Sequence, residues 1–255
     1  MASLSVIVIT KNEERNIADC LESVKWANEI VVVDCGSGDE TVELARRYSQ
    51  KVYVKPWEGY AESKNFALQQ CTGDWIFWLD ADERVTTELG KEIQDLLGQD
   101  ITAVVGFEVP RRAYFLGKWI RHCGWYPGYV LRLFRNGSGR WSEKRVHEHL
   151  EIEGKSSRLI SDLVHYTDPN LWHYFDKFNR YTTLAADDLT AEGERFRLSQ
   201  LIVRPVWQFV RMYVIKMGFL DGLQGFILCV LSSCYVFTKY AKLWELTASR
   251  LRSKT

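Results

Sequence analysis

Apolar and polar positions alternate between two rhythms over the first hundred residues. Ser5-Val-Ile-Val-Ile9 is an uninterrupted β-branched run, the pattern of a strand buried on both faces. Ile17, Leu21 and Val24 then recur at helical spacing and predict one apolar helix face. Ile30 to Val33 reads as the next strand and closes on the turn Asp34-Cys35-Gly36-Ser37-Gly38. Ser37 followed by Glu40 has the form of a capping box, opening a helix through Val42, Ala45 and Tyr48. A third strand is expected over Val52 to Val54, a helix over Tyr60 to Gln70, and a fourth strand over Trp75 to Leu79. Leu89, Ile93, Leu96 and Leu97 mark the helix after Asp82. This alternation predicts an α/β fold whose central sheet is largely parallel, with right-handed crossovers. Ligands of such sheets lie at the carboxyl ends of the strands, where Thr10, Asp34 and Asp80 fall.

Beyond Ala103 the rhythm loosens into short strands rich in aromatic, Gly and Arg residues, up to about His165. Trp172 to Leu189 reads as a helix with a broad apolar face. Leu201 to Met217 mixes Val, Trp, Phe, Tyr and Ile with Arg204, Arg211 and Lys216, the composition of a helix lying in a membrane interface. Gly222 to Thr238 is uncharged but interrupted by Gln224, Gly225, Ser232 and Ser233. Its 17 residues make it marginal for spanning a bilayer, which takes roughly 20. Two ordinary helices packed on the domain are the alternative.

Composition adds a charge asymmetry. The chain of 255 residues is formally neutral, which argues against a dedicated nucleic-acid binder. From Arg195 onward, however, ten Lys and Arg face only Asp221 and Glu245, leaving that tail at +8 and the rest at −8. A basic, aromatic tail fits an anionic membrane surface better than a groove-reading element. The six cysteines form no C-x-x-C, and no His cluster has zinc spacing. Leu4 to Thr10 is too short for a secretory h-region and lacks a basic flank, so a reducing cytoplasm with free thiols is expected.

Three constellations carry chemistry. Asp80 and Asp82 follow an apolar strand, and alternation would turn both carboxylates to one side with Ala81 between them. Such a pair suits a hard divalent cation that keeps waters and shares its shell with substrate phosphates. Asp34 ends the second strand, where a carboxylate can accept from a base N–H or a ribose, and no G-x-G-x-x-G fingerprint indicates a dinucleotide. Lys64, early in the third helix, would reach a diphosphate as a point charge, with a solvent-facing lysine as the equal alternative.

Taken in order, Ser5 to Glu14, Val31 to Thr41, Ser63-Lys-Asn-Phe-Ala-Leu68 and Gly73 to Glu83 resemble glycosyltransferase family 2. Gly124-Trp-Tyr-Pro-Gly-Tyr-Val-Leu-Arg-Leu-Phe134 and Val146-His-Glu148 resemble its branch of bacterial lipopolysaccharide-core β-1,4-glucosyltransferases. The resemblance implies a GT-A type nucleotide-diphospho-sugar transferase fold, a UDP-sugar donor (glucose the expected sugar), Mg2+ or Mn2+, and inversion at the anomeric carbon. It implies nucleotide-sugar contacts for Thr10, Asn12, Glu13, Asp34, Lys64, Asp80 and Ala81, and metal binding for Asp82 with Asp80. Many members carry two consecutive Asp in the second motif, whereas Cys35 takes the second place here, which puts base recognition in question. Glu148 is the expected base toward the acceptor hydroxyl, with Glu143 as fallback; His147, His149 and His165 stay open as acceptor contacts or, for His165, a further metal or phosphate contact. Trp125, Tyr126 and Tyr129 stand as sugar-stacking or core residues.

The expected organisation is a catalytic domain over 1–194, with a nucleotide-sugar half (1–100) and an acceptor half (101–194), and a helical tail over 195–255. The acceptor would be a saccharide or glycolipid presented at the inner face of the cytoplasmic membrane. A non-catalytic module on the same fold would have lost its metal motif. A sugar nucleotidyltransferase would place a Gly-rich loop after the first strand, and Thr10-Lys-Asn-Glu-Glu14 contains no glycine.

Overall fold

The computed structural model describes residues 2–142 and 150–252. The chain forms two compact units, Met1–Arg112 with Gly128–His165, and Ala113–Pro127 with Tyr166–Thr255.

The first unit carries the expected alternation: β1 (Leu4–Thr10), α1 (Ile17–Glu22), β2 (Glu29–Asp34), α2 (Thr41–Arg46), β3 (Lys51–Val54), α3 (Tyr60–Gln69) and β4 (Trp75–Asp80). A short strand, β5 (Glu83–Val85), precedes α4 (Thr87–Leu97), so the segment after Asp82 is first extended and only then helical. The later strands are β6 (Gly106–Phe115), β7 (Lys118–Trp119), β8 (Gly128–Arg135), β9 (Gly139–Trp141), β10 (Leu150–Ile152), β11 (Ser156–Arg158) and β12 (Leu163–Asp168). The main sheet runs β3-β2-β1-β4-β8-β6-β12-β5. Its first four strands are mutually parallel, whereas β8 joins β4 antiparallel. Although β5 follows β4 after two residues, it pairs at the far end of this order with β12, so the sheet curls back on itself.

Alternation within the strands divides the core. Val6, Val8, Val32, Phe77 and Leu79 pack with Ile17, Leu21, Leu89 and Ile93 of α1 and α4. Ile7, Val31, Val33, Ile76 and Trp78 face the other way, with Ala61 and Ala67 of α3 and with Trp141. This explains why β1 and β4 read as continuous apolar runs: both faces are covered by helices. Thr86 caps α4, its Oγ1 accepting from the Leu89 N–H at 3.1 Å.

The capping box expected at Ser37 and Glu40 does not form. Helix α2 starts at Thr41, and its preceding residue, Glu40, makes no side-chain cap. The Ser37 hydroxyl instead donates to the Asp34 carboxylate and accepts the Asn12 N–H. A buried carboxylate at a strand end competes for that hydroxyl more strongly than a helix terminus does.

The second unit contains α5 (Leu171–Ala191), α6 (Leu198–Val210), a π-helical turn at 211–215, a 3-10 turn at 218–221 and α7 (Gly222–Arg252). Phe115, Ile120, Cys123, Met212, Leu228 and Cys229 form its buried cluster. Asp221 is buried and accepts from the N–H groups of Arg121 and His122, tying the start of α7 to the loop over 121–123. Because α5 packs on α7, the compact units divide the chain elsewhere than at the expected boundary after residue 194. The stretch Gly218–Ala248 is long and apolar enough to cross a membrane, by length and composition alone. All six cysteines are free thiols, as expected of the sequence.

Candidate functional site

The register brings three strand ends together. Thr10 pairs with Asp34 across β1 and β2, and Ile9 pairs with Asp80 across β1 and β4. β1 is therefore the strand from which the chain order departs to either side, the switch point at which open α/β sheets bind ligands.

Asp34 is fully buried and committed to its own turn. Its Oδ2 accepts from the N–H groups of Gly36 (3.0 Å) and Ser37 (2.8 Å), and its Oδ1 accepts from the Ser37 hydroxyl. The carboxylate thus shapes the turn, with three donors of that turn converging on it and acceptor capacity left on Oδ1. Gly36 takes φ +81° there, a left-handed value that a side chain would strain. Asn12 also serves the loops, accepting the Gly38 N–H on its Oδ1 at 2.8 Å. Glu13 accepts from the Asn16 amide, and its own N–H donates to Thr41 Oγ1. These bonds lock the loop after β1 to the loop after β2. Thr10 is buried, and its hydroxyl finds no protein partner among the described residues.

Lys64 does not face solvent. It is buried, with its ammonium 4.0 Å from the centre of the Trp78 ring. Its neighbour Asn65 exchanges two 3.0 Å hydrogen bonds with the backbone of Trp141, which pins this part of α3 over β9. Trp78 itself carries a second cation, the Arg132 guanidinium, at 3.5 Å from the ring centre. Such stacking suits desolvated cations.

The Asp80–Asp82 segment departs from the expected strand geometry. β4 ends at Asp80, residues 81–82 form a turn, and β5 begins at Glu83. The two carboxylates therefore reach different partners: Asp80 meets Arg132 Nη2 at 3.0 Å, while Asp82 lies 3.4 Å from His165 Nε2. Ala81 is buried in the core, and its carbonyl accepts from Arg84 at 2.9 Å. Burial opposes the charge on Asp80, but Arg132, then Lys64 and His165, outweigh it and hold the carboxyl well below the usual range. Burial pushes the Glu83 carboxyl up, with Arg132 countering and Asp80 adding to the rise. The Arg132 guanidinium is held above its ordinary value: burial works against it, and Glu83 and Asp80 more than compensate.

Among the described residues no group of three or more His, Cys, Asp or Glu is arranged to enclose an ion. Mg2+ and similar ions often take one or two protein ligands plus phosphates and water. Two ligands of one octahedral ion at such bond lengths stand about 3 Å apart, close to the Asp82–His165 separation of 3.4 Å. The donor set, one carboxylate and one imidazole with a second carboxylate nearby, suits Mn2+; for Mg2+ the fitting ligands are the carboxylates. The residues present fit the group.

Glu148 and its fallback Glu143, together with His147 and His149, lie outside the described residues. Sequence reasoning passed over Arg132 and Glu83 as site residues; the signal that could have marked Arg132 is a charge within the otherwise apolar run Val130-Leu-Arg-Leu-Phe134. Trp125 belongs to the second unit and packs edge-on against Phe115, a core role.

The pattern of glycosyl transferase family 2 matches residues 5–154. Similar proteins include the lipopolysaccharide core biosynthesis glycosyltransferase LpsC of Rhizobium meliloti (strain 1021), 35% identical, the alignment covering 98% of this chain and 94% of the relative. An uncharacterized glycosyltransferase of Rickettsia typhi is 30% identical over 97% of this chain and 88% of its own length. Among solved structures, the mannosyltransferase PcManGT from Pyrobaculum calidifontis, in complex with GDP-Man and Mn2+, superposes with a TM-score of 0.59. That match covers 95% of this chain and 87% of the other, at 13% identity, and carries the fold. The chain belongs to glycosyl transferase family 2 and is a glycosyltransferase of GT-A fold.

Proposed function

We propose that this glycosyltransferase moves a sugar, glucose the expected one, from a UDP-sugar to a hydroxyl of a lipid-linked or lipopolysaccharide-core saccharide, with inversion. The observation that carries the reading is the convergence of Asp80, Asp82, Lys64 and His165 beside the carboxyl ends of β1, β2 and β4. The full-length likeness to LpsC supports the acceptor class, and the Mn2+ beside GDP-Man in the mannosyltransferase supports the cation.

In this reading Asp82 and His165 hold Mg2+ or Mn2+ on the donor diphosphate, with Asp80 beside them. When bound, the cation supplies positive charge to the departing diphosphate. Lys64, kept dry on Trp78, adds a fixed charge on the same side. Thr10, Asn12 and Glu13, with the turn that Asp34 holds, seat the nucleoside. Glu148 takes the acceptor proton as the acceptor oxygen bonds to the anomeric carbon, and the bond from that carbon to the diphosphate oxygen breaks on the opposite face. Residues of the 101–194 half supply the acceptor side.

The test is to incubate the full chain with Mn2+ or Mg2+, a panel of UDP- and GDP-sugars and deacylated lipopolysaccharide-core oligosaccharides. Transfer from one UDP-hexose with an inverted product anomer is expected. Retention of configuration, or a rate unchanged by EDTA, would remove the corresponding part of the reading.

Residues 195–255 are read as a peripheral anchor at the inner face of the cytoplasmic membrane. Leu198, Ile202, Val203, Val206 and Trp207 form an exposed stripe along α6 that continues through Val214 and Ile215 to Phe219, Leu220 and Leu223. Arg204, Arg211 and Lys216 are exposed beside it. An apolar stripe flanked by cations matches an anionic leaflet. Val206→Ser with Trp207→Ser is expected to abolish most co-sedimentation with phosphatidylglycerol-containing liposomes. Undiminished binding by that variant would remove the anchor.

A further inference from the structure

We infer that Arg132 and Glu83 form a buried positioning pair that presets the geometry of the donor site, an inference resting on the metal and donor reading above. Both side chains are fully buried, and Arg132 Nη2 donates to both Glu83 Oε1 and Asp80 Oδ2. Glu83 is a hub. Its Oε2 accepts the Asp80 backbone N–H at 3.0 Å, clamping the turn that displays Asp80 and Asp82. Its own backbone stands opposite His165 in the β5–β12 register, so the strand pair that carries Glu83 also sets where His165 meets Asp82. Arg132 reaches the hub from β8, the strand beside β4, and is stacked on Trp78 with Lys64. One ion pair thus ties together the elements bearing Asp80, Asp82, His165 and Lys64.

Stability alone does not account for it. Burying two charges costs as much desolvation as their attraction returns, and apolar replacements of such pairs are often neutral or stabilising. Arg132 also leaves Nε and Nη1 buried without a hydrogen-bond partner among the described residues, an arrangement that a fold optimised for stability avoids. What the pair supplies is a fixed turn: neighbours that orient metal ligands commonly change metal affinity or activity about 10–100-fold when lost.

The decisive variant is Glu83→Gln with Arg132→Met, which removes both charges of the pair; Asp80 loses Arg132 but keeps Lys64 and His165 as cationic neighbours. Mn2+ binding is measured by the loss of the free-ion EPR signal in the presence of UDP, beside thermal unfolding and steady-state kinetics. The expected result is a melting temperature near that of the wild type, a fall in Mn2+ affinity and in kcat/KM of about 10–100-fold, and an unchanged KM for the acceptor. A purely structural pair would lower the melting temperature and leave the Mn2+ affinity of the folded fraction intact, which would overturn the inference. Should the double variant fail to fold, Glu83→Gln alone, an isostere keeping one acceptor oxygen, is expected to weaken Mn2+ binding several-fold, and wild-type affinity in it would equally overturn the inference. If the wild type itself binds no Mn2+ with UDP, it is the donor reading that fails.

Discussion

Asp82→Ala is expected to lower kcat/KM by roughly 10²–10³-fold, the scale of losing one preorganised electrostatic contact to a developing charge. The carboxylate lies on the two-residue turn between β4 and β5, 3.4 Å from His165 Nε2. With it gone, the proposed cation would keep His165 at that corner, while Asp80 is held by Arg132 at 3.0 Å. The fold should keep its shape: the Asp82 side chain is only 15% exposed, but among the described residues its ion pair is with His165 alone, and a typical single substitution costs about 1 kcal/mol. The check is nucleoside diphosphate release over a Mn2+ titration, run beside thermal unfolding of wild type and variant. A variant that turns over like the wild type would remove Asp82 from the metal site. Loss of activity together with a collapsed melting transition would mean that the turn matters for folding instead.

The largest expected effect on stability comes from Phe77→Ala. Phe77 lies in the middle of β4, fully buried, in the cluster that includes Leu79, Leu89 and Ile93. Truncating a buried phenylalanine removes its transfer free energy and leaves a cavity, about 3–5 kcal/mol in all. Native stabilities are typically about 5–15 kcal/mol, so this one ring represents a large share. A drop in melting temperature on the order of 10 °C is expected. β4 is also the strand that delivers Asp80 to the site, so activity should fall on warming well before the wild type loses its own. At low temperature, where the strand remains folded, the loss should be far smaller than for Asp82→Ala. A shift of the transition below about 2 °C would contradict the placement of this ring in the core.

The two variants separate what local pattern controls from what long-range assembly controls. Strands β1, β2 and β4 and helices α1 and α4 were legible because their periodicity is local and their faces are buried evenly. The coincidence of Thr10, Asp34 and Asp80 at strand ends was legible for the same reason, and the register confirms it by pairing Thr10 with Asp34 and Ile9 with Asp80. The turn chemistry was less so. Ser37 and Glu40 match a capping pattern, yet the hydroxyl goes to Asp34, because a pattern of residue types does not say which acceptor wins.

Lys64 shows the limit from another side. Its position early in a helix left solvent exposure and burial equally open; the placement of Trp78 and Trp141 against α3 buries it.

What the sequence by itself determined, then, is the α/β alternation, the donor-side motifs at the strand ends and the family to which they belong. Each depends on residues within a few positions of one another, or on an ordered series of such groups. The tertiary structure alone decided the rest: the curl that returns β5 to pair with β12, the meeting of Glu83 with Arg132 across 49 residues of chain, and the approach of His165 to Asp82. Those contacts depend on antiparallel strands added at long range, whose register is set by packing and leaves no periodic trace in the chain.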